Sequence, residues 1–558
     1  MEPIWLEHYP PGVPPEADIL RYASLKDLLE QSCERFRARP AFTSMGVSLS
    51  YDELDRRSRA FGAWLQHEAG LTRGERVAIM LPNLLQHPVA LFGALRAGMV
   101  VVNVNPLYTA RELQHQLADS GATAIVVLEN FARTLQEIVA ATAVRHVVVT
   151  CVGDLLPSLK ACLVNFAVKW IKRGVPRWQL PGAVAFNGAL ERGARHRLTE
   201  VPVTRDDIAF LQYTGGTTGV AKGAILTHGN LVANVEQTSA WIGTVLREGE
   251  EVVVTPLPLY HVFALTANLL TFVKWGGNNV LIANPRDIPG FVKVLRTTRF
   301  TAITGVNTLY RKLLDAPGFE RVKRANAGAL KLAVAGGMSV QRAVAERWQQ
   351  RMGVPLIEGY GLTEASPIVC ANPLDAGEFS GAIGMPIPST RVEIRDEAGS
   401  PLPPGEAGEL CVQGPQVMRG YWNMADETAR VLSADGWLRT GDICEMDARG
   451  MVRFVERAKD VVVVSGFKVY PNEVEDVLML HPGVSEAGVV GVPDEKSGEA
   501  VKAFVVKRNP ALTAAELISH CRANLAAYKV PKQMEFRERL PRSPIGKVLR
   551  RALKDVSA

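Results

Sequence analysis

The residues at 211–223, LQYTGGTTGVAKG, combine glycines and threonines with one lysine, directly after the apolar lead-in DDIAF. Glycine lets a backbone come close to a ligand and take positive φ. Successive N–H groups in such a loop form an anion-binding nest. The hydroxyls of Thr214, Thr217 and Thr218 add donors and Lys222 adds a positive charge. The chemistry this suits is the binding of a polyphosphate. The pattern is not a P-loop, which needs Gly-Lys-Ser/Thr. Here Ala221 precedes the lysine and Gly223 follows it. The spacing fits no GxGxxG dinucleotide fingerprint either.

Such a loop needs a rigid strand before it and helices around it. Short β-branched runs supply the strands: RVAIML at 76, VVVNV at 100, AIVVLE at 124 and HVVVT at 146, and after the loop EVVVT, NVLIA, FTAITG and KLAVAGG. Between them lie segments with helical apolar spacing, such as NLLQHPVALFGALRAG, ARELQHQLADSG and SVQRAVAERWQQRMG. Continuous apolar strands separated by helices predict an α/β fold with parallel sheets covered on both faces. From Ile383 the style changes to short alternating strands with Pro/Gly turns, as in a small antiparallel sheet or barrel. The charged ERAKD at 456–460 reads as a linker to a small α+β unit over the remaining residues. The expected organisation is therefore a large domain over 1–456, with a β-rich subdomain near 383–456, a hinge at 457–460 and a C-terminal domain over 461–558.

Bulk properties narrow the class. A chain of 558 residues suggests about three to four folding units. The net charge of +6 is spread thinly, with no basic arm, which argues against nucleic acid. Seven scattered cysteines without a CxxC point to reduced thiols in a cytoplasmic protein rather than to disulfides or zinc. The acidic, proline-rich N-terminus is wrong for a signal peptide. The uncharged run at 252–273 is long enough to span a bilayer. Its prolines, histidine, asparagine and threonines instead predict a buried strand, a turn and a core helix. The stretch NFAVKWIKRGVPRWQLP at 165–181 mixes basic residues with two tryptophans. It suits a surface excursion of the large domain or, more specifically, a membrane-surface contact.

YTGGTTGVAKG resembles the phosphate loop of the acyl-adenylate-forming enzymes, with Gly215 and Ala221 where that loop usually has serine and proline. EGYGLTEA at 358–365 looks like the adenine and magnesium segment of that superfamily. LRTGD at 438–442 looks like its ribose-binding motif, ERAKD its hinge, and PIGKVLRR at 544–551 its C-terminal lysine motif. Within the superfamily, DGWLRTGDICEMDARGMVRFVERAK is similar to the signature of fatty acyl-CoA synthetases, and the match is nearest to bacterial long-chain fatty acid–CoA ligases. Arg439 and Glu456 stand where that signature often has histidine and aspartate.

The resemblance implies ATP-dependent, AMP-forming activation of a long-chain fatty acid to its CoA thioester through an acyl-adenylate, feeding fatty acid degradation. Medium-chain or aryl acids, or transfer to a carrier protein, are the alternatives. ATP, CoA and the fatty acid are the implied partners and Mg2+ the implied cofactor. The implied residues follow the motifs. Tyr213, Thr214, Gly215, Gly216, Thr217, Thr218, Gly219 and Lys222 wrap the β- and γ-phosphates. Thr363 touches the α-phosphate and Glu364 holds the metal. Gly336, Gly337, Tyr360 and Gly361 border the adenine. Asp442 binds the ribose hydroxyls with help from Arg457. Lys547 reaches the α-phosphate and the acyl carboxylate. Lys459 is the pivot, with Asp460 beside it, about which the small domain rotates between half-reactions, and Ser465, Gly466 and Phe467 meet the pantetheine of CoA. His261 is, on composition alone, an ordinary core histidine; the resemblance puts it at the carboxylate end of the acyl pocket. Residues 300–310 and the glycines after KLAVA are candidate acyl-tunnel walls. A peripheral contact with the inner face of the membrane fits a substrate that partitions into bilayers.

Overall fold

The computed structural model describes residues 3–214, 221–375, 377–465, 467–494, 497–542 and 548–554, with only the backbone of Arg551. The chain divides into two compact units. The larger comprises Tyr9–Arg391 and Gln413–Leu438; the smaller comprises Met1–His8, Val392–Val412 and Arg439–Ala558.

Two sheets organise the described residues of the larger unit. The first runs in the order Val184–Ala185, His146–Thr150, Ala124–Leu128, Arg76–Met80, Val100–Asn103, Ile208–Thr214, Lys222–Thr227. Each pair is parallel until the last, where Ile208–Thr214 and Lys222–Thr227 run antiparallel. The second sheet has a parallel centre of Leu356–Gly361, Leu332–Gly336, Ala302–Gly305, Val252–Thr255, Asn278–Leu281 and Pro40–Ser44, with antiparallel strands at both edges. The expected alternation of buried strands and helices is thus present. The run at 252–273 forms a strand, a turn and a buried helix, and among the described residues no helix is long and apolar enough to cross a membrane.

Local chemistry explains the helix limits. Thr109 and Glu112 form a capping box at the start of Ala110–Ser120, and Gly121 ends that helix at φ 59°, in the left-handed region. Buried amides then tie the layers. Asn103 Nδ2 donates to Gln212 Oε1 at 3.0 Å between neighbouring strands. Asn83 Nδ2 donates to the carbonyls of Thr255 and Leu257 at 2.9 and 2.8 Å, joining the connection after Arg76–Met80 to the end of a second-sheet strand. Each of these amides is buried and donates through Nδ2, so it helps to fix the register of its neighbours.

The smaller unit contains a four-stranded sheet, Arg391–Arg395, Ala407–Gln413, Leu438–Met446 and Val452–Arg457, where the sequence predicts a β-rich subdomain. It also contains a five-stranded sheet carrying the helices Pro471–Leu480 and Ala514–Asn524, the expected α+β arrangement. Trp5 is 2% exposed within this unit. Gly450 sits beneath it, where an added Cβ would come within 2.5 Å of Trp5 Cβ.

Two fully buried histidines of the larger unit make its stability depend on pH. Burial pushes His87 and His228 from 6.5 down to about 4. His228 Nδ1 accepts the Leu25 N–H at 3.2 Å, which requires an unprotonated nitrogen there. Because the folded values are depressed, their contribution is complete above the unfolded value of 6.5 and is lost as pH falls through about 4. The loss is on the order of several kcal/mol for the pair. Urea titrations should therefore give a lower midpoint at pH 5 than at pH 7, and His228→Asn should shrink that difference. An unchanged difference in the variant would refute the assignment.

Candidate active site

The antiparallel strand pair of the first sheet sets Tyr213 opposite Gly223 and Thr214 opposite Lys222. The connecting residues, including Gly215, Gly216, Thr217, Thr218 and Gly219, lie outside the described residues. Tyr213 is buried and its hydroxyl donates to Asp119 Oδ2 at 2.5 Å. Burial first, then the Asp119 carboxylate, push the phenol upward, so it stays a donor. Its ring occupies the space over Gly223, where an added Cβ would meet it at 3.1 Å. Lys222, largely buried, forms an ion pair with Glu427 and places Nζ 5.2 Å from the Tyr421 ring centre.

Tyr421 is held there by backbone. The Ile225 N–H donates to Gly420 O at 2.9 Å, and the N–H groups of Arg419 and Trp422 donate to the carbonyls of Ile225 and Gly223 at 3.1 and 2.8 Å. The segment also reaches the short helix Thr363–Ala365. The Met418 N–H donates to Glu364 O, and the Tyr421 hydroxyl donates to Glu364 Oε1 at 2.7 Å. Lys222 and Glu364, for which the resemblance implies phosphate and metal roles, are therefore joined through one tyrosine. Thr363 opens the same helical turn.

Tyr360 and Gly361 end the strand Leu356–Gly361, and Gly336 ends its parallel neighbour. Gly336 lies in register with Gly359; a Cβ on Gly336 would meet the Phe263 ring at 3.0 Å and Gly359 O at 3.1 Å. Gly361 is tighter still, its added Cβ only 2.0 Å from Pro367 O. Gly337 takes φ 76°. This corner has no room for a side chain at 336 or 361. Glu358, buried behind it, accepts the Val340 N–H at 3.2 Å, and burial pushes its carboxyl up to about 8. His261 lies two residues before Phe263 and accepts the Phe263 N–H on Nδ1 at 3.4 Å. Burial pushes its imidazole down to about 4, so it is neutral at physiological pH. In the proposed tunnel segment, Tyr310 is fully buried and donates to Val334 O at 2.8 Å.

In the smaller unit Asp442 is buried and pairs in register with Arg457, whose Nε lies 3.1 Å from Asp442 Oδ1. The next residue back, Glu456, is fully buried. It accepts the N–H groups of Arg457 and Asn472 at 2.8 Å each and pairs with Arg550 at 2.6 Å. Arg550 also reaches Glu475 at 2.9 Å and Asp460 at 3.5 Å. Lys459 is exposed in the single turn Ala458–Asp460. Ser465 adopts φ 49°, and Phe467 stacks on Tyr528 with ring centres 4.9 Å apart. Lys547 and Gly466 lie outside the described residues.

Sequence reading missed Asp119, Tyr421, Glu427 and the Glu456–Arg550 pair. Arg550 sits inside a quoted motif and Glu456 was marked as a departure, so those two carried a signal; Tyr421 and Glu427 lie in no segment singled out by spacing. Among the described residues no cluster of three or more His, Cys, Asp or Glu side chains is assembled to hold a metal. A single carboxylate at Glu364 fits Mg2+, which keeps several waters and is shared with substrate phosphates.

Residues 29–422 match the AMP-binding enzyme family, and residues 473–547 match the AMP-binding enzyme C-terminal domain. The chain is 56% identical over 555 residues to a long-chain-fatty-acid–CoA ligase of Escherichia coli O6:H1, spanning 100% of this chain and 98% of that protein. A long-chain-fatty-acid–CoA ligase of Bacillus subtilis is 38% identical over 553 residues, covering 98% and 97%. Among solved structures, ATP-bound MatB from Rhodopseudomonas palustris superposes with a TM-score of 0.80 at 28% identity, covering 95% of this chain and 98% of that one.

Proposed function

The chain belongs to the AMP-binding enzymes, and we infer that it is an ATP-dependent, AMP-forming long-chain fatty acid–CoA ligase that works through an acyl-adenylate. The observation that carries this is its 56% identity across its whole length to an enzyme of that name. The product suits entry into fatty acid degradation.

The chemistry needs a leaving group that a carboxylate lacks. A carboxylate oxygen of the fatty acid attacks the α-phosphorus of ATP in line, the bond to the bridging oxygen breaks, and pyrophosphate leaves. The CoA thiolate then attacks the acyl carbon; AMP leaves with the electron pair of the broken C–O bond. The protein's task is positioning and charge stabilisation. We propose that Lys222 and the loop after Tyr213 bind the β- and γ-phosphates, with Thr363 donating to the α-phosphate. The close packing at Gly336 and Gly361 supports a flat adenine site bordered by Gly337 and Tyr360. Asp442, fixed by Arg457, presents carboxylate oxygens suited to the ribose hydroxyls. Neutral His261 suits a site that receives an acyl carboxylate, and Lys547 supplies a cation for the first half-reaction. Glu364 would hold Mg2+, which supplies charge neutralisation on the phosphates.

We take residues 457–460 as the hinge. Along the chain the turn Ala458–Asp460 connects the strand Val452–Arg457 to the next strand, Val462–Val464, which supports a pivot at Lys459 and Asp460. Ser465, Gly466 and Phe467 then serve the CoA arm.

We also propose a peripheral membrane contact through the helical stretch 158–171. It exposes Leu159, Leu163, Phe166, Trp170 and Ile171. Residues 158–177 carry Lys160, Lys169, Lys172, Arg173 and Arg177 and no acidic residue. Apolar groups interleaved with cations match an anionic lipid surface. Described cysteines that are free and mostly buried suit the reducing, cytoplasmic side.

Palmitate-dependent formation of AMP and pyrophosphate, followed with and without CoA across acids from acetate to oleate, tests the activity. Acyl-CoA formed best with long chains is expected; acyl-AMP indifferent to CoA would favour a carrier-protein acceptor, and best turnover of aryl or short acids would displace the long-chain assignment. Asp442→Asn should weaken AMP binding by about 10- to 100-fold, the range of a hydrogen bond to a charged group. Calorimetry showing unaltered AMP affinity would remove Asp442 from the ribose site. Vesicles containing phosphatidylserine should retain the protein at low salt more strongly than neutral vesicles, and Leu163→Asp with Ile171→Asp should abolish the difference. Retention that ignores both charge and substitution would overturn the contact.

A further inference from the structure

Glu427 and Tyr421 have no part in the chemistry described above, yet they meet the two side chains assigned to the phosphates and the metal. Glu427 Oε2 pairs with Lys222, and its other oxygen pairs with Arg430. The Lys222 side chain is 12% exposed and that of Glu427 26%, so the pair is held out of bulk water without being fully desolvated. Tyr421 presents its ring to the Lys222 ammonium and its hydroxyl to Glu364. Three backbone hydrogen bonds to the strand Lys222–Thr227, and one from Met418 to Glu364, fix the segment that carries both residues.

A lysine that awaits a polyphosphate in a largely buried corner needs a counter-ion, because an unpaired buried charge is costly. A carboxylate is the nearest protein equivalent of a phosphate oxygen. We propose that Glu427 and Tyr421 are positioning residues for the ligase reaction: Glu427 occupies Lys222 as a stand-in for phosphate and yields it when the nucleotide arrives, while Tyr421 keeps the Glu364 carboxylate aimed. The inference rests on the reading of Lys222 and Glu364 as phosphate and metal residues. It adds that ATP binding is an exchange of partners at Lys222, so part of the binding free energy is used to displace Glu427. Pyrophosphate release is correspondingly assisted, since Glu427 recaptures the lysine.

Removing a competitor tightens binding, an effect that structural damage does not imitate. Calorimetric titration with ATP and, separately, with AMP would be carried out on the full-length protein and on Glu427→Gln, Tyr421→Phe and Lys222→Gln. Glu427→Gln should bind ATP about five-fold more tightly, the scale of a partly exposed ion pair, with AMP affinity unchanged because AMP lacks the β- and γ-phosphates. Glu427→Asp should return ATP affinity toward that of the parent protein. Tyr421→Phe should raise several-fold the Mg2+ concentration needed for half-maximal ATP binding and leave metal-free ATP binding unaltered. Equal or weaker ATP binding in Glu427→Gln, while Lys222→Gln still weakens it, would overturn the exchange. An unchanged Mg2+ requirement in Tyr421→Phe would overturn the aiming role. If Lys222→Gln leaves ATP binding untouched, the phosphate assignment of Lys222 itself fails, and the exchange with it.

Discussion

The antiparallel pairing of Ile208–Thr214 with Lys222–Thr227 is the constraint on which the larger unit's chemistry depends. Every other described pair in that sheet is parallel, and a parallel connection needs a long crossover. Only the antiparallel turn-back places the two ends of a glycine- and threonine-rich loop side by side. It leaves Lys222–Thr227 as an edge strand, a surface that proteins normally cover. The segment 419–422 covers it by adding backbone hydrogen bonds along that edge. The cover is also what carries Tyr421 to Lys222 and Glu364, so edge protection and site assembly are one arrangement.

The parts of this arrangement that could be read from sequence are those whose causes are local. Alternating β-branched and helical runs gave the parallel sheets because period and burial are written within ten residues of each other. The helix Ala110–Ser120 could be placed because Thr109, Glu112 and Gly121 cap it from adjacent positions. Lys222, Glu364, Asp442 and Arg457 stood out through short motifs. Tyr421 and Glu427 did not: their partners lie 57 and 205 residues away in the chain, and neither residue type is unusual beside a turn. Glu456 shows the same limit from the other side. In the sequence it is one departure from the usual aspartate; in the fold it is a fully buried acceptor shared by Arg457, Asn472 and Arg550.

The two units hold charge in different ways. In the smaller unit Arg550 is surrounded by Glu456, Glu475 and Asp460, and their carboxylates keep its guanidinium firmly charged despite burial. Removing Arg550 from so enclosed a cluster would leave its buried carboxylates without their cation, which is costly. Arg550 joins residues on both sides of the turn Ala458–Asp460, so a rotation about that turn has to break its pair with Glu456.

The Lys222 corner is built on the opposite principle. Its carboxylate partner is a quarter exposed and shared with Arg430, and the tyrosine beneath attracts the cation only through its ring face. Such an ion pair contributes little net stability, since desolvation offsets much of the attraction. A strong, enclosed pair would hold the lysine away from any phosphate. A lysine with no partner would be poorly oriented. An intermediate pair keeps the ammonium directed at a free-energy difference that a polyphosphate can exceed. Reversible capture of a trianionic leaving group therefore favours a partner of moderate strength at Lys222, and a partly exposed glutamate on a short helix meets that requirement.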